Sequence, residues 1–213
     1  MPPPILTPRA WITLLLALGV FILASHALDT WAYAASAAYT KSLPKPVAMY
    51  DWYQLLRQLG SILTWAIIAL AWWLASIGVR ARHDLPRPER LPVAILLAVA
   101  VAGAIAEGIK PLIGRMRPED TDGTYQFMEW SKRASEWSDL GIPSSHAAVA
   151  FASAMVITRW RPLAGLALIP LACGTCFTRI VNANHFLSDT AAGAAIGIVA
   201  GLLACKWCKV GRE

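Results

Sequence analysis

Charged residues are scarce in this sequence. Of its 213 residues, 15% are charged and 57% are hydrophobic, and the mean hydropathy is +0.50. A soluble domain of this length needs more charge on its surface, so the composition argues against a soluble protein and for a membrane protein. No internal repeat or low-complexity tract is visible, and we treat residues 1–213 as a single integral membrane domain.

Signs of a structural metal, a disulfide framework and a nucleic-acid partner are also lacking. No histidine or acid stands near the cysteines at zinc-ligand spacing, and all four lie in or beside apolar segments: Cys173, Cys176, Cys205 and Cys208. The first two are expected in helix packing, and acylation is an alternative for the last two. The net charge of +6 forms no basic stripe, so no nucleic acid is expected to bind.

Long apolar runs are what the sequence has in plenty. Six can be marked, at about 11–28, 60–79, 92–109, 146–158, 162–177 and 188–205. At about 1.5 Å per residue, the first three reach roughly the 30 Å of a hydrocarbon core. The fourth and fifth are shorter, so they either extend into flanking residues or end below the membrane surface. We predict an all-α bundle of six transmembrane helices, with the first run retained as a helix and not cleaved as a signal peptide.

The basic residues on short connections indicate the orientation. Arginines near residues 9, 80–90 and 159–161 and the basic C-terminal end would share one side, which the positive-inside rule makes cytoplasmic. Both termini are then cytoplasmic. The longer connections, 29–59 and 110–145, lie outside, and the second could include a helix on the membrane surface.

The last apolar run contains three glycines, Gly193, Gly197 and Gly201, each four residues from the next. Small residues at this spacing line one helix face and let another helix approach closely. We expect that partner helix to belong to the same chain. A dimer contact is the alternative.

Three polar clusters interrupt the apolar pattern, and the predicted topology brings all three to the outer membrane boundary. The first runs from Lys110 to Arg117-Pro118, where the third helix ends. The second is Pro143-Ser144-Ser145-His146, which opens the fourth helix. The third runs from Thr178-Arg179 to His185 and Asp189, between the fifth and sixth helices.

The residue types in these clusters suit phosphate chemistry. Lys110, Arg117 and Arg179 would form a cationic group that needs an anionic partner. Free backbone N–H groups at Ser144 and Ser145 attract an anion to a helix start. An Asp189 carboxylate on one ring nitrogen of His185 would make the other a better nucleophile or base. His146 could protonate a leaving oxygen.

The pattern Lys-x6-Arg-Pro, Pro-Ser-x-His and Arg-x5-His-x3-Asp resembles the type 2 phosphatidic acid phosphatase (PAP2) superfamily. The match covers residues 110–189 and, through the six-helix layout, most of the chain. Ser145 stands where glycine is usual, and Thr178 stands where serine often precedes the arginine. A side chain at 145 changes the expected shape of the pocket.

The resemblance implies a role for each matched residue. His185 would attack phosphorus and form a phosphohistidine, Asp189 would orient it, and His146 would protonate the leaving oxygen and then activate water. The phosphate oxygens would be bound by Lys110, Arg117, Ser144, Ser145 and Arg179. These cations do what magnesium does elsewhere, so no metal and no cofactor are implied.

The resemblance also implies a lipid phosphatase of the bacterial inner membrane, with its site facing the periplasm. The substrate would be undecaprenyl pyrophosphate, phosphatidylglycerol phosphate, phosphatidic acid or lipid A 1-phosphate, held with its tails in the bilayer. For a diphosphate, the hypothesis is that Lys132, Arg133 or Arg115 contacts the second phosphate group. Two alternatives stay open: a lipid-to-lipid phosphotransferase of the same fold and, more distantly, a transporter. The sequence does not determine the oligomeric state.

Overall fold

The computed structural model describes residues 6–80 and 90–211, and most of these residues are helical. Eight α-helices follow one another: α1 (Pro8–Ala27), α2 (Asp29–Ser42), α3 (Asp51–Gln58), α4 (Ile62–Arg80), α5 (Arg90–Ile113), α6 (Ser145–Trp160), α7 (Pro162–Val181) and α8 (Leu187–Cys208). Four single-turn 3-10 helices lie between them, at Val47–Met49, Pro118–Asp120, Trp130–Lys132 and Trp137–Asp139. No strand occurs in these two ranges, so the all-α prediction is confirmed.

Each of the six apolar runs forms one helix, but six membrane spans are not confirmed. Among the described residues, four helices are long and apolar enough to cross a membrane: α1, α5, α7 and α8. A fifth span is obtained if α3 and Ile62–Ile77 of α4, which meet at an angle of 69°, are taken together. Helix α6 has 16 residues, roughly 24 Å of helix, which is shorter than a hydrocarbon core. The count of six stays a prediction.

Of the two possibilities for the shorter runs, α7 follows the first. It extends past residue 177 to Val181 and encloses Thr178 and Arg179, which are 0% and 6% exposed. No surface helix forms within 110–145. Instead α5 continues to Ile113, and a loop with three of the 3-10 helices follows. Asp122 and Gly123 both have positive φ in this loop, a backbone conformation that helices do not use. Of the basic residues predicted to be cytoplasmic, Arg82, Arg87 and Arg212 lie outside the described ranges.

Helices α5, α6 and α8 form the core through small side chains. Alanines line the contacts of all three helices, among them Ala98, Ala102, Ala148, Ala152 and Ala204. A Cβ on Gly201 would lie 2.8 Å from the carbonyl oxygen of Ala152. The glycine face of α8 therefore packs on α6 of the same chain, which confirms the expected intramolecular contact. Close backbone approach replaces the bulky side chains that hold soluble bundles together.

Helix α1 lies at the edge of this core. It begins after Thr7, whose Oγ1 accepts a hydrogen bond from the N–H of Ala10 at 3.2 Å. Ser25 is its only buried residue, as expected of a helix that faces lipid. The chain turns at Leu28, and α2 starts with Asp29, which is fully buried.

The bend between α3 and α4 lies against the start of α6. A Cβ on Gly60 would lie 2.7 Å from the Cβ of His146 and 2.9 Å from Cγ2 of Thr175. The hydroxyl of Thr175 also donates a hydrogen bond to the carbonyl of Leu56 at 2.7 Å. Glycine at position 60 lets this bend close one side of the region around His146.

Candidate active site

The first polar cluster begins inside the last turn of α5. Lys110 is 5% exposed, and its ammonium group lies 2.7 Å from the carboxylate of Glu107, one turn earlier. The other oxygen of Glu107 accepts a hydrogen bond from the indole N–H of Trp137 at 2.7 Å. Gly114, with φ of +74°, then ends the helix and turns the chain towards Arg115 and Arg117.

Arg117 lies in an extended segment tied to the end of the following loop. Its N–H donates to the carbonyl of Asp139 at 3.0 Å, and the guanidinium lies 3.3 Å from Glu119. Glu119 also accepts a hydrogen bond from the side-chain amide of Asn184 at 2.8 Å. Glu119 therefore links the segment that carries Arg117 to the loop that precedes His185.

The second cluster opens α6 as predicted, with Ser144 as the N-cap and Ser145 as the first helical residue. The N–H of Ser144 donates to the carbonyl of Asp189 at 3.0 Å, so the start of α6 is joined directly to α8. Close packing supports this contact, because a Cβ on Gly193 would overlap the carbonyl oxygen of Ser144. His146 is thereby held between the α3–α4 bend and the first turns of α8.

The third cluster spans the turn from α7 to α8. The carbonyl of Arg179 accepts the N–H groups of Asn184 and His185, at 3.1 and 3.2 Å, which folds the turn back over the end of α7. Helix α8 begins at Leu187, so His185 lies before the helix and not on its face. Its Nδ1 nevertheless lies 3.7 Å from an oxygen of Asp189.

All eight predicted site residues thus lie at one end of the bundle, at the junctions α5–loop, loop–α6 and α7–α8. His185 is 3% exposed, and this burial lowers the pKa of its imidazole well below the usual value. The positive charges of Arg179, Arg117 and Lys110 lower that pKa further, as does the neighbouring His146. His185 is therefore neutral near pH 7. With Nδ1 facing Asp189, Nε2 is the nitrogen left to react.

Several buried polar atoms in these motifs have no hydrogen-bond partner among the described residues. They are Nε of Arg115, Nε of Arg117, Nε of Arg179, Oγ of Ser144 and Nδ1 of His185. Buried polar groups are normally satisfied, and a cluster of unsatisfied ones calls for a physical reason. Nδ1 of His185 faces Asp189, so the atoms that suit an anion with several oxygen atoms are those of the guanidinium groups and the hydroxyl of Ser144.

Arg115 does not lie where the second-phosphate hypothesis expected it. It is 5% exposed, and its guanidinium forms an ion pair with Asp189 and a 2.9 Å hydrogen bond to the hydroxyl of Ser188. Asp29, which the sequence reasoning did not single out, accepts the N–H of Ser188 at 2.7 Å. A lone carboxylate at the end of an apolar run was the signal in the sequence, since such residues usually have a buried partner.

Arg133 also has an internal role. Its guanidinium donates hydrogen bonds to the carbonyls of Pro111, Leu112 and Met128, at 2.9, 3.2 and 2.9 Å. The first two are carbonyls at the C-terminal end of α5, so Arg133 satisfies acceptors that the helix leaves unpaired. Lys132 is exposed and lies 3.8 Å from Glu129.

Comparison with known proteins gives one family. Residues 91–211, more than half of the chain, match the family model of the PAP2 superfamily. A lipid A 4'-phosphatase of Bacteroides thetaiotaomicron is 28% identical over 117 residues, which cover 52% of this chain and 51% of that protein. A lipid A 1-phosphatase of Porphyromonas gingivalis is 31% identical over 121 residues, which cover 54% of this chain and 23% of that protein.

Two solved structures share the fold. A transmembrane PAP2-type phosphatidylglycerolphosphate phosphatase from Bacillus subtilis superposes with a TM-score of 0.65 at 18% identity, covering 93% of this chain and 95% of its own. Aquifex aeolicus LpxE gives a TM-score of 0.57 at 17% identity, with 81% and 93% covered. The family match includes all three polar clusters, and at the level of family and fold this chain belongs to the PAP2 superfamily.

Proposed function

We propose that this protein is a membrane lipid phosphatase that acts through a phosphohistidine at His185. The observation that carries the proposal is the set of buried, unpartnered polar atoms on Arg117, Arg179 and Ser144, at the same end of the bundle as His185. These atoms share one end of the bundle with Lys110, and together they suit the oxygens of a phosphate group. The names of the relatives support a phosphate ester carried on a lipid.

In the first step, Nε2 of His185 attacks phosphorus while the bond from phosphorus to the leaving oxygen breaks. The lone pair on Nε2 is available because the buried imidazole is neutral. The 3.7 Å between Nδ1 and Asp189 has to shorten as positive charge develops on the ring, since catalytic hydrogen bonds tighten in the reacting complex. The negative charge of the bound phosphate offsets the cations around His146 and allows its imidazole to be protonated. His146 then donates this proton to the leaving oxygen, which departs as the lipid alcohol, or as the lipid monophosphate if the substrate is a diphosphate.

In the second step, water attacks the phosphohistidine. His146, now neutral, accepts a proton from that water as the new oxygen–phosphorus bond forms. The nitrogen–phosphorus bond breaks, and inorganic phosphate and free His185 result. Lys110, Arg117 and Arg179 stabilise the charge on the phosphoryl oxygens in both steps. The hydroxyl of Ser144, which has no other partner, and the backbone N–H of Ser145 bind the same oxygens, whereas the N–H of Ser144 stays on the carbonyl of Asp189.

The substrate class follows from the position of the site at the end of an apolar bundle. A lipid can keep its tails beside the helices while its phosphate reaches the buried cations. Lipid A phosphates and phosphatidylglycerol phosphate are the first candidates, because they are named in the relatives and structural neighbours. Phosphatidic acid and undecaprenyl pyrophosphate complete the panel to be tested.

A second phosphate group would need a cation other than Arg115 and Arg133. Arg57, exposed near the end of α3, is the residue we propose, because its carbonyl accepts the N–H of Gly60 at 3.0 Å and Gly60 packs against His146. Lys132, also exposed, remains the second candidate. If the substrate is a diphosphate, Arg57→Ala should reduce diphosphate turnover more than monophosphate turnover. Arg161→Ala is the matched control, and it should leave this ratio unchanged.

The test is phosphate release by purified protein in detergent, with EDTA present, over the lipid panel. Wild type is expected to release phosphate, while His185→Ala and Arg179→Ala should not. Arg161→Ala is the control, because Arg161 is exposed and follows α6 at the end opposite the motifs. Release that EDTA abolishes would refute the metal-free mechanism. Labelled phosphate appearing on a second lipid would replace hydrolysis with phosphotransfer.

We further propose that the site faces the periplasm of a bacterial inner membrane and that both termini are cytoplasmic. The basic residues on the short connections support this orientation. In a cysteine-free background, Ser138→Cys in the loop before α6 should react with an impermeant maleimide in intact spheroplasts. Lys209→Cys after α8 should react only after lysis, because it would lie on the cytoplasmic side. Both positions are exposed on the protein, so burial does not prevent either cysteine from reacting. The reverse pattern would invert the topology.

A further inference from the structure

A buried chain of charges stands behind the proposed nucleophile. It links Asp29 at the start of α2, Arg115 after α5 and Asp189 in the first turn of α8. These three residues are 0%, 5% and 0% exposed. Two carboxylates share one guanidinium, and in a region shielded from water such charges act strongly on each other.

Asp189 is held at both of its oxygens. Nη2 of Arg115 donates to Oδ1, and the N–H of Phe186 donates to Oδ2 at 2.8 Å. The same Oδ2 is the oxygen that lies 3.7 Å from Nδ1 of His185. The negative charge of Asp189 is therefore divided between Arg115 on one side and His185 on the other.

Asp29 competes for Arg115. Its Oδ2 lies 4.0 Å from Nη1 of Arg115, and Ser188 connects the two residues. The hydroxyl of Ser188 accepts a hydrogen bond from Arg115 and donates one to Asp29. The hydroxyl of Tyr125 donates to Asp29 at 2.9 Å, and the rings of Tyr125 and Phe186 lie 5.4 and 5.1 Å from the guanidinium carbon.

We propose that Arg115 and Asp29 are positioning residues that fix the Asp189 carboxylate and set the share of its negative charge that acts on His185. This inference rests on the proposed phosphohistidine mechanism. Neither residue touches the reacting atoms, and Asp29 lies outside the part of the chain that matches the family model.

Two substitutions that change the charge or the hydrogen bonding of Asp29 should have opposite effects on the protonation of His185. Asp29→Asn removes the competing charge but keeps an oxygen that can accept from Ser188 and Tyr125. Arg115 then binds Asp189 more strongly, and His185 becomes harder to protonate. Tyr125→Phe removes the hydroxyl that shields Asp29, so Asp29 attracts Arg115 more, and His185 becomes easier to protonate.

The other groups near these residues stay constant in both variants. Arg179, Arg117, Lys110 and His146 act on His185 from α7, the loop, α5 and α6. On the Asp29 side, Nδ1 of His26 in α1 lies 3.4 Å from the carboxylate and 3.2 Å from the hydroxyl of Tyr125. His26→Gln is therefore combined with each variant, so that titration of His26 does not enter the comparison. Burial and the bond to Asp29 raise the pKa of Tyr125 to about 12, so its hydroxyl remains a donor over the whole range.

The experiment measures kcat and KM for phosphatidic acid in mixed micelles as a function of pH, with full-length protein. The acid limb of kcat should move to lower pH in Asp29→Asn and to higher pH in Tyr125→Phe. In Asp29→Asn, kcat should fall about 10- to 100-fold, by analogy with the loss of an outer partner that orients a metal-bound histidine or carboxylate. KM should change little, because the phosphate-binding cations are intact. Arg115→Lys keeps the charge and should retain more activity than Arg115→Gln.

The outcomes separate this inference from the proposed function. Active wild-type protein with unshifted acid limbs in both variants would overturn the inference and leave the phosphatase proposal intact. Shifts in the same direction, or a loss confined to KM, would also overturn it. If Asp29→Asn does not fold, the inference is tested by the pH profile of kcat in Tyr125→Phe and by the activity of Arg115→Lys relative to Arg115→Gln. An unshifted acid limb, or equal activity of the two Arg115 variants, would then overturn it. Loss of the proposed function would appear earlier, as wild-type protein that releases no phosphate.

Discussion

Replacing Gly193 with alanine is expected to damage catalysis more than it damages the fold. Gly193 lies in the second turn of α8, where a Cβ atom would overlap the carbonyl oxygen of Ser144 and lie 3.0 Å from the Cβ of Ala147. The crowded atom of Ser144 belongs to the backbone, so it cannot rotate away as a side chain can. The added methyl group must push the start of α6 from α8, and Ser144 and His146 move with it.

The size of the expected changes in Gly193→Ala follows from two opposing effects on its stability and one effect on its rate. Overpacking a methyl group costs about 1–3 kcal/mol, and alanine in place of a helical glycine returns about 0.5–1 kcal/mol. The net loss of stability is therefore about 0–2.5 kcal/mol, less than the roughly 5–15 kcal/mol that holds a typical domain folded. A displacement of about 1 Å at a reacting site can cost roughly 100-fold in rate. We expect kcat/KM of Gly193→Ala to fall by that order while the protein still folds.

Gly201→Ala is the matched control, because it crowds the same helix pair two turns further from the motifs. A Cβ there would lie 2.8 Å from both the carbonyl oxygen of Ala152 and the Cβ of Met155. Thermal unfolding midpoints in detergent and kcat/KM for phosphatidic acid are measured for both variants. The midpoints should fall together, and kcat/KM should fall only for Gly193→Ala. An equal loss of kcat/KM in the two variants would refute the argument that Gly193 positions Ser144.

Three further results are expected. Burial lowers the pKa of His185 well below its usual value, so unfolded chains bind a proton there below about pH 6.5 and folded chains do not. Stability should fall as pH drops through that value, and the unfolding midpoint of His185→Gln should fall less. Glu119→Gln frees Arg117 from its 3.3 Å ion pair, so inorganic phosphate should inhibit the enzyme at lower concentration. An unchanged inhibition constant for phosphate would count against Arg117 as a phosphate ligand. Arg133→Ala should lower the unfolding midpoint, because it leaves carbonyls at the end of α5 without a hydrogen-bond donor. Lys132→Ala breaks only an exposed ion pair, worth about 0–1 kcal/mol, and should leave the midpoint unchanged.

The order and chemistry of the motifs could be predicted from the sequence because each lies where an apolar run ends. The residues at which the helices end could not be predicted in the same way. Hydropathy placed the end of α7 near residue 177, where polar residues begin, but Thr178 and Arg179 are enclosed and continue the helix. A buried polar residue that satisfies its hydrogen bonds does not stop a helix. Thr178, for example, donates to the carbonyl of Thr175 at 2.7 Å.

The assignment of the arginines also needed the structure. Arg115 and Arg117 are two residues apart, and both are adjacent to the same loop. Residue type and spacing suit either one to phosphate. Arg115 is excluded from that role by packing alone, because it is enclosed between Asp29 and Asp189 while Arg117 remains 22% exposed. A contact between positions as far apart as 29 and 188 leaves no periodic trace in a single sequence.

The N-terminal helices therefore contribute to the site even though the family match begins at residue 91. Asp29 binds the backbone and hydroxyl of Ser188, one residue before Asp189. Gly60 and Leu56 bring the α3–α4 bend against His146 and α7. In the proposed mechanism the motifs within 110–189 supply the groups that bind phosphate, whereas Asp29 and Gly60 contact the residues next to them: Ser188 and His146. Sequence changes in that N-terminal part should therefore alter rate and pH dependence without altering the phosphate ligands themselves.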